Sequence, residues 1–492
     1  MSRRNLVLVV VAAVAAIVVG VAALVLRPDD SGSPESATSS SIAPTSTSTT
    51  ALVGSPGAAG VGDPYFPELG NGGYDVISYD LELVWDADAG RLSGSTTIVA
   101  EATQDLSRFN LDLSGLEVLE VLVRRQPATF VREGRELVVT PATAIAEGSS
   151  FTTEIRYEGR PEPIRIGTDL FGSGWQIDGR EAYVASEPAG AATFFPVNDH
   201  PTDKATYSFN VTAPADQVVA ANGMLVGEPV AGPDGTLTWT YETDDQMASY
   251  LVQVAIGDFE LWNAGGPDLV YVRHALHRSF AEQAKVTLER TGEMIEVLSD
   301  VFGPYPFDVY GVVAVDEPLG FALETQTLTL IGSDVVANGR ASDDLLVHEL
   351  AHQWVGNAVS PATWRDIWLN EGFATYAEWI FLERTGGPTA AESARRYHRL
   401  GQDVIDDPPG EPGSEELFAP SVYLRGGMTL QALRETIGDD AFFTLLRRWV
   451  SDNEDKTAST EDLVKLAEQI SGKDLDQLFN DWLYAKGAPS LG

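Results

Sequence analysis

Residues 348–352 of this chain read His-Glu-Leu-Ala-His, and the spacing of their polar side chains decides the architecture expected around them. On an α-helix, residues four apart lie on one face, so His348 and His352 can reach one metal ion while Glu349 projects beside it. The preceding Ser-Asp-Asp of 342–344 supplies the capping and acidic residues that favour a helix start. The motif therefore predicts a helix over 344–354 that carries two metal ligands.

A catalytic zinc site of this kind needs a third protein ligand and keeps a further position for water. The candidate is Glu371, near the start of a second amphipathic stretch over 370–384. Packing that stretch against the first helix would bring its carboxylate toward the two histidines. Zinc held by two imidazoles and a carboxylate lowers the pKa of its bound water to about 7. Glu349 can take the proton of that water and pass it to a leaving amine, so peptide-bond hydrolysis is the expected reaction.

Composition narrows the other possibilities. The 492 residues are enough for two or three domains, and 44% of them are hydrophobic, as in globular proteins. Acidic residues (72) exceed basic ones (32), and the resulting net charge of -40 argues against a nucleic-acid partner. The absence of cysteine excludes disulfides, thiol catalysis and cysteine-ligated metals. A transition-metal site must therefore use the six histidines together with carboxylates.

The amino-terminal segment, residues 1–28, has the features of a membrane anchor. Two arginines precede an uncharged apolar run over 6–26, which as a helix is about as long as a bilayer core is thick. The basic side belongs in the cytoplasm, so the rest of the chain is expected outside the cell. A cleaved signal peptide is the alternative, because small residues at 21–23 could form a cleavage site. Residues 29–63, rich in Ser, Thr and Pro, are predicted to be a disordered linker.

Residues 64–264 have the pattern of a mostly antiparallel β domain. Apolar side chains alternate with polar ones at Ile77, Tyr79, Leu81 and Leu83, as in half-buried strands. Turn dipeptides such as Asn-Gly and Asp-Gly separate several runs. The further predicted strands lie at 96–100, 136–140, 151–157, 207–211, 237–241 and 250–256.

Residues 265–492 have the longer apolar period of a mainly helical region with a small sheet. One helix is expected over 280–301, where Gly-Pro ends the pattern, and a strand follows over 309–315. Beyond the two helices of the metal motif, further helices are predicted over 429–437, 441–450, 461–470 and 475–484. The fold class is thus multidomain α+β.

Together with the Asn-Glu-Gly of 370–372, the His-Glu-Leu-Ala-His run resembles the zinc-dependent aminopeptidase N family, the gluzincin aminopeptidases. Three other segments match that family in order. The Gly-Phe-Ala-Leu-Glu of 320–324 is similar to its Gly-x-Met-Glu-Asn motif, the Ser-Glu-Pro of 186–188 to its second acidic anchor, and 422–427 to the segment that carries its tyrosine. The resemblance covers about residues 74–484.

The resemblance implies roles for these segments. Glu187 and Glu324 would bind the α-ammonium of a peptide, so that only its first peptide bond reaches the metal. Gly320 and Ala322 would also contact the substrate. Tyr423 would donate its hydroxyl to the oxygen that becomes negative during attack. One zinc ion per chain, held by a thermolysin-like catalytic domain, is implied as well.

This sequence also departs from the family pattern. Leu323 and Thr325 stand where the family usually has Met and Asn, which bears on the side-chain preference of the first pocket. The resemblance further suggests a short form of the family, which we expect to lack the large helical domain of longer relatives, because the sequence reaches residue 492 soon after the predicted catalytic helices. We therefore expect a comparatively open cleft.

The sequence as a whole predicts a membrane-tethered, extracellular zinc aminopeptidase that acts on peptides with a free amino terminus. A secreted form after signal cleavage is the alternative location. A thermolysin-like metalloendopeptidase, which needs no ammonium anchors, is the alternative activity. An inactive cell-surface binding module on the same fold is the third possibility. The sequence does not specify an oligomeric state.

Overall fold

A computed structural model describes residues 52–165, 172–267, 269–401 and 404–491. The predicted membrane segment, 1–28, and most of the predicted linker lie outside these ranges. Within them, no helix has both the length and the apolar character needed to cross a bilayer.

The amino-terminal region consists of β-strands, as the alternating pattern predicts, and the strands form three sheets. The largest contains, from edge to edge, Met224–Leu225, Thr236–Glu242, Thr206–Pro214, Tyr74–Asp86, Arg91–Ala102, Ser150–Gly159, Glu117–Val123 and Gln126–Pro127, with Val230–Ala231 also beside Thr236–Glu242. The second contains Ser55–Pro56, Leu106–Asp112, Glu136–Thr140 and Thr129–Glu133. The third contains Gly174–Asp178, Glu181–Ala185, Val254–Gly257 and Val218–Ala221, and it leads to Glu187.

Ile77, which the alternating pattern predicted to be buried, faces the solvent. Tyr79, Leu81 and Leu83 are buried as expected, but Ile77 is 44% exposed. The pairing with the neighbouring strand shifts register between Val76 and Ser78. Such a bulge inserts an extra residue and exchanges the inward and outward faces beyond it. The inward set therefore changes from even-numbered to odd-numbered positions at Ile77.

The carboxyl-terminal region combines a six-stranded sheet with helices. The sheet order is Phe259–Ala264, Tyr271–His277, Val312–Ala314, Thr329–Ile331 and Ala322–Leu323, with Val309–Tyr310 also paired to Tyr271–His277, so this sheet begins before residue 265. Val359–Pro361 pairs separately with Lys456–Ala458. The α-helices are Ala281–Thr287, Thr291–Phe302, Ser333–Asn338, Asp343–Ala351, Trp368–Arg384, Ala390–Leu400, Pro420–Ile437, Asp439–Asn453, Thr460–Ser471 and Asp476–Phe479. A β-rich region followed by a helical one confirms the predicted α+β class.

Several predicted boundaries differ from the structure. The single helix expected over 280–301 is two helices, Ala281–Thr287 and Thr291–Phe302. The strand expected over 250–256 is shorter, because Ser249–Leu251 forms a 3₁₀ turn before Val254–Gly257. The helix expected from residue 429 begins nine positions earlier, at Pro420, since proline is well suited to the first helical turn.

The chain is packed onto both regions before the predicted linker boundary at residue 64. Asp63 is 2% exposed, and its Oδ2 accepts a hydrogen bond from the backbone N–H of Trp364 at 2.8 Å. Its Oδ1 accepts from the backbone N–H groups of Tyr65 and Phe66. A buried carboxylate with several donors is well satisfied, so Asp63 ties this segment to the peptidase region.

Candidate metal centre and ammonium site

Two helices bring the predicted metal ligands together. His348 lies in the helix Asp343–Ala351 (the ligand helix), and His352 caps its carboxyl end with the N–H of its backbone bonded to the His348 carbonyl. The two rings are 4.8 Å apart between centroids, as expected for residues one helical turn apart. Buried apolar residues of the same helix, among them Val347 and Leu350, hold it against the core.

Glu371 lies in the first turn of the helix Trp368–Arg384 (the Glu371 helix), which packs against the ligand helix. Its Oε2 is 3.0 Å from Nε2 of His348 and 3.5 Å from Nε2 of His352. One ligand atom from each of the three residues lies within 4.8 Å of the others, and all three residues are buried. The packing of these two helices, which the sequence predicted, therefore brings the three ligand groups to one point. The Glu371 helix is buried on nearly all sides over its first ten residues, and not only on the one stripe that the pattern predicted.

The outer nitrogens of both histidines are occupied, which leaves the inner ones for a metal. Nδ1 of His348 is 2.7 Å from Oε1 of Glu378, and Nδ1 of His352 is 3.1 Å from the carbonyl oxygen of Val355. An acceptor at Nδ1 holds the proton there and leaves the Nε2 lone pair directed at Glu371. Sequence reasoning missed Glu378. It lies seven residues after Glu371 on the same helix face, and that spacing could have indicated it.

This donor set fits zinc. Two imidazole nitrogens and one carboxylate, converging in a buried pocket with their outer atoms hydrogen-bonded, are the ligand types of a three-ligand catalytic zinc site. Burial alone would raise the pKa of Glu371, but the imidazoles of His352 and His348 outweigh it and hold that pKa at about 2. The carboxylate is therefore available in its anionic, metal-binding form.

Glu349, the predicted proton carrier, lies on the ligand helix beside the histidines and is 4% exposed. Its Oε2 is buried and has no hydrogen-bond partner. Burial raises the pKa of Glu349 to about 8, against the opposing effect of the two imidazoles. A buried oxygen without a partner beside a metal site is suited to receive a proton.

The two predicted ammonium anchors meet beside the metal ligands. Glu187 follows a strand of the β region and Glu324 follows the strand Ala322–Leu323 of the peptidase sheet, yet their carboxylate oxygens and one of Glu371 lie within 4.8 Å of one another. Oε1 of Glu187 and Oε1 of Glu324 are buried without a hydrogen-bond partner. Burial, and then repulsion from Glu324, raises the pKa of Glu187 well above its ordinary value. Such a pair requires a cation for full stabilisation.

Tyr423 reaches the same site from the helix Pro420–Ile437 (the Tyr423 helix). Its ring stacks on His348, with centroids 5.8 Å apart and an interplanar angle of 24°. The Tyr423 helix packs closely against the Glu371 helix, and the two cross at Gly426 and Gly372. A Cβ added to either glycine would lie 2.9 Å from the backbone of the other. Desolvation raises the pKa of Tyr423 well above its ordinary value, so its hydroxyl remains a donor.

A cavity of about 470 Å³ opens beside these groups. Its wall includes Glu187, Tyr423, and the predicted substrate contacts Gly320 and Ala322. Gly320 has φ +73°, a left-handed conformation that favours glycine. The structure thus brings together all nine residues that the sequence indicated: His348, Glu349, His352, Glu371, Tyr423, Glu187, Glu324, Gly320 and Ala322.

Comparison with known proteins places these observations in a family. Two family models match the chain, the Peptidase M1 N-terminal domain over residues 76–251 and the Peptidase family M1 domain over residues 286–482. Aminopeptidase M1-A of Oryza sativa subsp. japonica is 26% identical over 452 residues, which cover 84% of this chain and 50% of the rice protein. The chain spans about half the length of the curated relatives it matches.

Solved structures match over a larger share of their own length. The M1 zinc metallopeptidase of Deinococcus radiodurans is 34% identical, with a TM-score of 0.81 covering 88% of this chain and 98% of that one. A mutant of that protein, at 33% identity and the same TM-score over 88% and 99% of the two chains, was solved bound to the substrate Tyr-Ser-Ala. Since both the β region and the peptidase region match and the similarity runs through nearly all of a solved M1 enzyme, this chain belongs to peptidase family M1, the zinc metallopeptidases.

Proposed function

We propose that this protein is a zinc aminopeptidase that removes the first residue from peptides with a free amino terminus. One observation carries the proposal: two buried carboxylate oxygens without a hydrogen-bond partner, on Glu187 and Glu324, lie beside the ligand Glu371. A peptide's α-ammonium supplies the hydrogen-bond donors that these oxygens lack, together with a positive charge. Each charge-assisted bond of this kind contributes about 1.5–3 kcal/mol. The substrate-bound Deinococcus relative supports a peptide ligand.

The ammonium contact would act as a measure of distance from the amino end. With the ammonium held by Glu187 and Glu324, the first peptide bond lies next to His348, His352 and Glu371, and later bonds lie farther along the cleft. Holding the bond in this register converts an intermolecular encounter into an oriented one. The exopeptidase activity therefore follows from the position of the anchors. A substrate peptide that is blocked at its amino end would not be held in this register.

Each remaining residue has a separate task. His348, His352 and Glu371 would hold the zinc, which when bound supplies a Lewis acid for the scissile carbonyl and for the attacking water. Glu349 would take the proton of that water and deliver it to the leaving amine nitrogen, which must be protonated as the C–N bond breaks. Tyr423 would donate its hydroxyl to the carbonyl oxygen as it gains negative charge. Glu378 would keep the His348 ring in orientation through Nδ1.

The two alternative functions are less well supported. A thermolysin-like endopeptidase has no need for Glu187 and Glu324, whose unpartnered oxygens would then be a cost without a use. An inactive binding module has no need to retain Glu349 and Tyr423 around an intact ligand set. Family relatives that are named aminopeptidases add support for the exopeptidase.

The deciding experiment compares a peptide that has a free amino terminus with its N-acetylated form. The zinc-loaded protein is expected to release the first residue of the free peptide and to leave the acetylated one largely intact. Chelation of zinc should abolish the activity, and zinc addition should restore it. Equal rates on the two peptides would rule out the aminopeptidase and favour the endopeptidase, while absence of zinc from the purified protein would favour the binding module.

We further propose that residues 1–28 anchor the protein in the cell membrane with its catalytic part outside the cell. The support is the two arginines before the apolar run over 6–26. Fractionation of cells, with amino-terminal sequencing of the mature protein, tests this location. A mature chain that starts beyond residue 23 would favour the secreted alternative.

A further inference from the structure

Glu324 is the first residue of a tight, buried turn whose backbone groups need hydrogen-bond partners. Residues 324–328, the anchor turn, join the antiparallel strands Ala322–Leu323 and Thr329–Ile331. Thr327 in this turn has φ +64°, a conformation uncommon for a β-branched residue. Glu324 is 3% exposed and Thr327 4%. The polar backbone groups of the turn are thus shielded from water and depend on protein partners, which must also hold the strained conformation.

Gln353 meets the two ends of the anchor turn with one side chain. Its Nε2 donates to the carbonyl oxygen of Glu324 at 3.1 Å, and its Oε1 accepts from the N–H of Thr327 at 2.8 Å. Gln353 is fully buried and directly follows the ligand His352. The position of Glu324 is therefore tied by two hydrogen bonds to a residue whose own backbone is adjacent to a metal ligand.

A second amide of the same segment reinforces this contact. Nδ2 of Asn357 donates to the same Glu324 carbonyl at 2.7 Å, and the Asn357 N–H donates to the carbonyl of His352 at 3.0 Å. The ammonium of Lys204, from the β region, holds the segment in place by donating to the carbonyls of Asn357 at 2.8 Å and Ala358 at 3.0 Å. The connections from Glu324 to His352 are thus made by short, buried, uncharged groups.

The segment before the other anchor is held in the same manner. Gln253 accepts from the N–H of Val184 at 3.1 Å and donates to its carbonyl at 2.8 Å, three residues before Glu187. Asn222 links the two arrangements, since it donates to Gln326 O at 2.6 Å and accepts from the N–H of Gln253 at 2.5 Å. Neutral amides suit this purpose, because they satisfy backbone groups without bringing charge near the carboxylates.

We propose that Gln353 is a positioning residue that sets the place of the Glu324 carboxylate relative to the metal-ligand histidines, and through it the selectivity for a free amino terminus. The inference rests on the proposed aminopeptidase function. It assigns the selectivity for a free amino terminus to a residue that contacts neither the substrate nor the metal. Without the two hydrogen bonds from Gln353, the anchor turn can shift. The substrate ammonium is then bound less tightly in both the ground state and the transition state. Such uniform loss of binding raises KM while kcat changes little.

The test uses the zinc-loaded full chain and the variant Gln353→Met, which keeps the side-chain volume and removes both hydrogen bonds. The matched control is Gln217→Met, a buried amide of the β region that donates to the Arg180 carbonyl at 2.9 Å. For a free-amine amino-acid arylamide, Gln353→Met is expected to raise KM about tenfold with kcat within about threefold. Zinc content should stay at one per chain. Gln217→Met should leave both constants near those of the wild type.

The outcomes separate positioning from mere stabilisation. A structural role would reduce the active fraction, which lowers kcat and leaves KM unmoved, and that result overturns the inference. If Gln353→Met does not fold, Gln353→Asn is used instead, because it stays neutral and its shorter side chain cannot bond both Glu324 and Thr327. An unchanged KM in the folded variant again overturns the inference. A wild type that cleaves free and N-acetylated peptides equally overturns the proposed function itself, whatever the variants do.

Discussion

The metal centre and the ammonium site lie side by side but are built in opposite ways. At the metal centre, two neighbouring helices supply every ligand, and the outer nitrogens of both histidines have hydrogen-bond partners. At the ammonium site, Glu187 and Glu324 come from strand ends of two different regions, and an oxygen of each has no hydrogen-bond partner. The donors of the first site are hydrogen-bonded on their outer side and converge on one point, whereas the oxygens of the second lack hydrogen-bond donors.

The contrast indicates a division of work. In the proposed aminopeptidase, groups at the metal centre would act on the reacting bond, so their loss should appear in kcat. Groups at the ammonium site would bind a part of the substrate that does not react, so their loss should appear mainly in KM and in selectivity. Substitutions at the two sites can therefore confirm or break the division.

The largest effect is expected at Glu349. The variant Glu349→Gln should retain zinc and lose about 10²–10⁴ in kcat, because the amide cannot accept the proton of the attacking water. Zinc content by elemental analysis and steady-state kinetics measure the two properties separately. The exposed Glu296→Gln, on the helix Thr291–Phe302, is the control. Near wild-type turnover of Glu349→Gln would show that the assigned mechanism is wrong.

Tyr423→Phe should cost about 10²–10³ in kcat with little change in KM, since the hydroxyl stabilises charge that appears only during attack. Tyr376→Phe is a matched control, because its hydroxyl bonds Gln431 at 2.9 Å in the packing between helices and not in the cleft. A rise in KM without a fall in kcat would show that Tyr423 contributes to substrate binding and not to stabilisation of the transition state.

Glu324→Gln is the corresponding test of the ammonium site. Loss of one charge-assisted bond of about 1.5–3 kcal/mol should lower kcat/KM for free-amine arylamides by about 10–100-fold, mainly through KM. Glu317→Gln, an exposed residue shortly before the anchor, should have no effect. If kcat falls and KM stays constant, the division between the two sites does not hold.

Substitution of Glu378 tests how far zinc affinity depends on the hydrogen bond to the outer nitrogen of His348. Glu378→Gln replaces an anionic acceptor of the His348 Nδ1–H with a neutral one. Zinc affinity should fall about tenfold, at the lower end of the range for such partners, while saturating zinc restores turnover. Competition with a chelator gives the affinity, and an unchanged value would mean that the 2.7 Å contact has no part in zinc binding.

The smallest effect is expected at Lys204, which links the β region to the segment after the ligand helix. Burial lowers the pKa of Lys204 from 10.5 to about 8. Between these two values the unfolded chain holds more protons than the folded one, so this group's contribution to the free energy of unfolding rises with pH. Lys204→Met should remove a slope of roughly 1 °C per pH unit from Tm between pH 8 and 10. Equal slopes for the variant and the wild type would contradict the assignment.

Local patterns predicted much of this molecule. The strand over 136–140 matches Glu136–Thr140, and the ligand and Glu371 helices begin and end within three residues of their predicted bounds. The errors arise where a local pattern is altered by its neighbours. Ile77 is exposed because a bulge in the pairing exchanges the two faces of the strand, and alternation along a single strand contains no sign of it.

The sequence by itself determined the local chemistry: a histidine pair one helical turn apart, a glutamate between them, and a candidate third ligand, Glu371, in the next helix. The first two relations lie within a single helix, whose geometry follows from residue spacing alone. Only the tertiary structure decided that Glu371 reaches the two histidines, that Glu187 and Glu324 meet across two regions, and that Gln353 holds the turn between Glu324 and Thr327. Such contacts join residues far apart in the chain, so they depend on how whole elements pack and not on any local period.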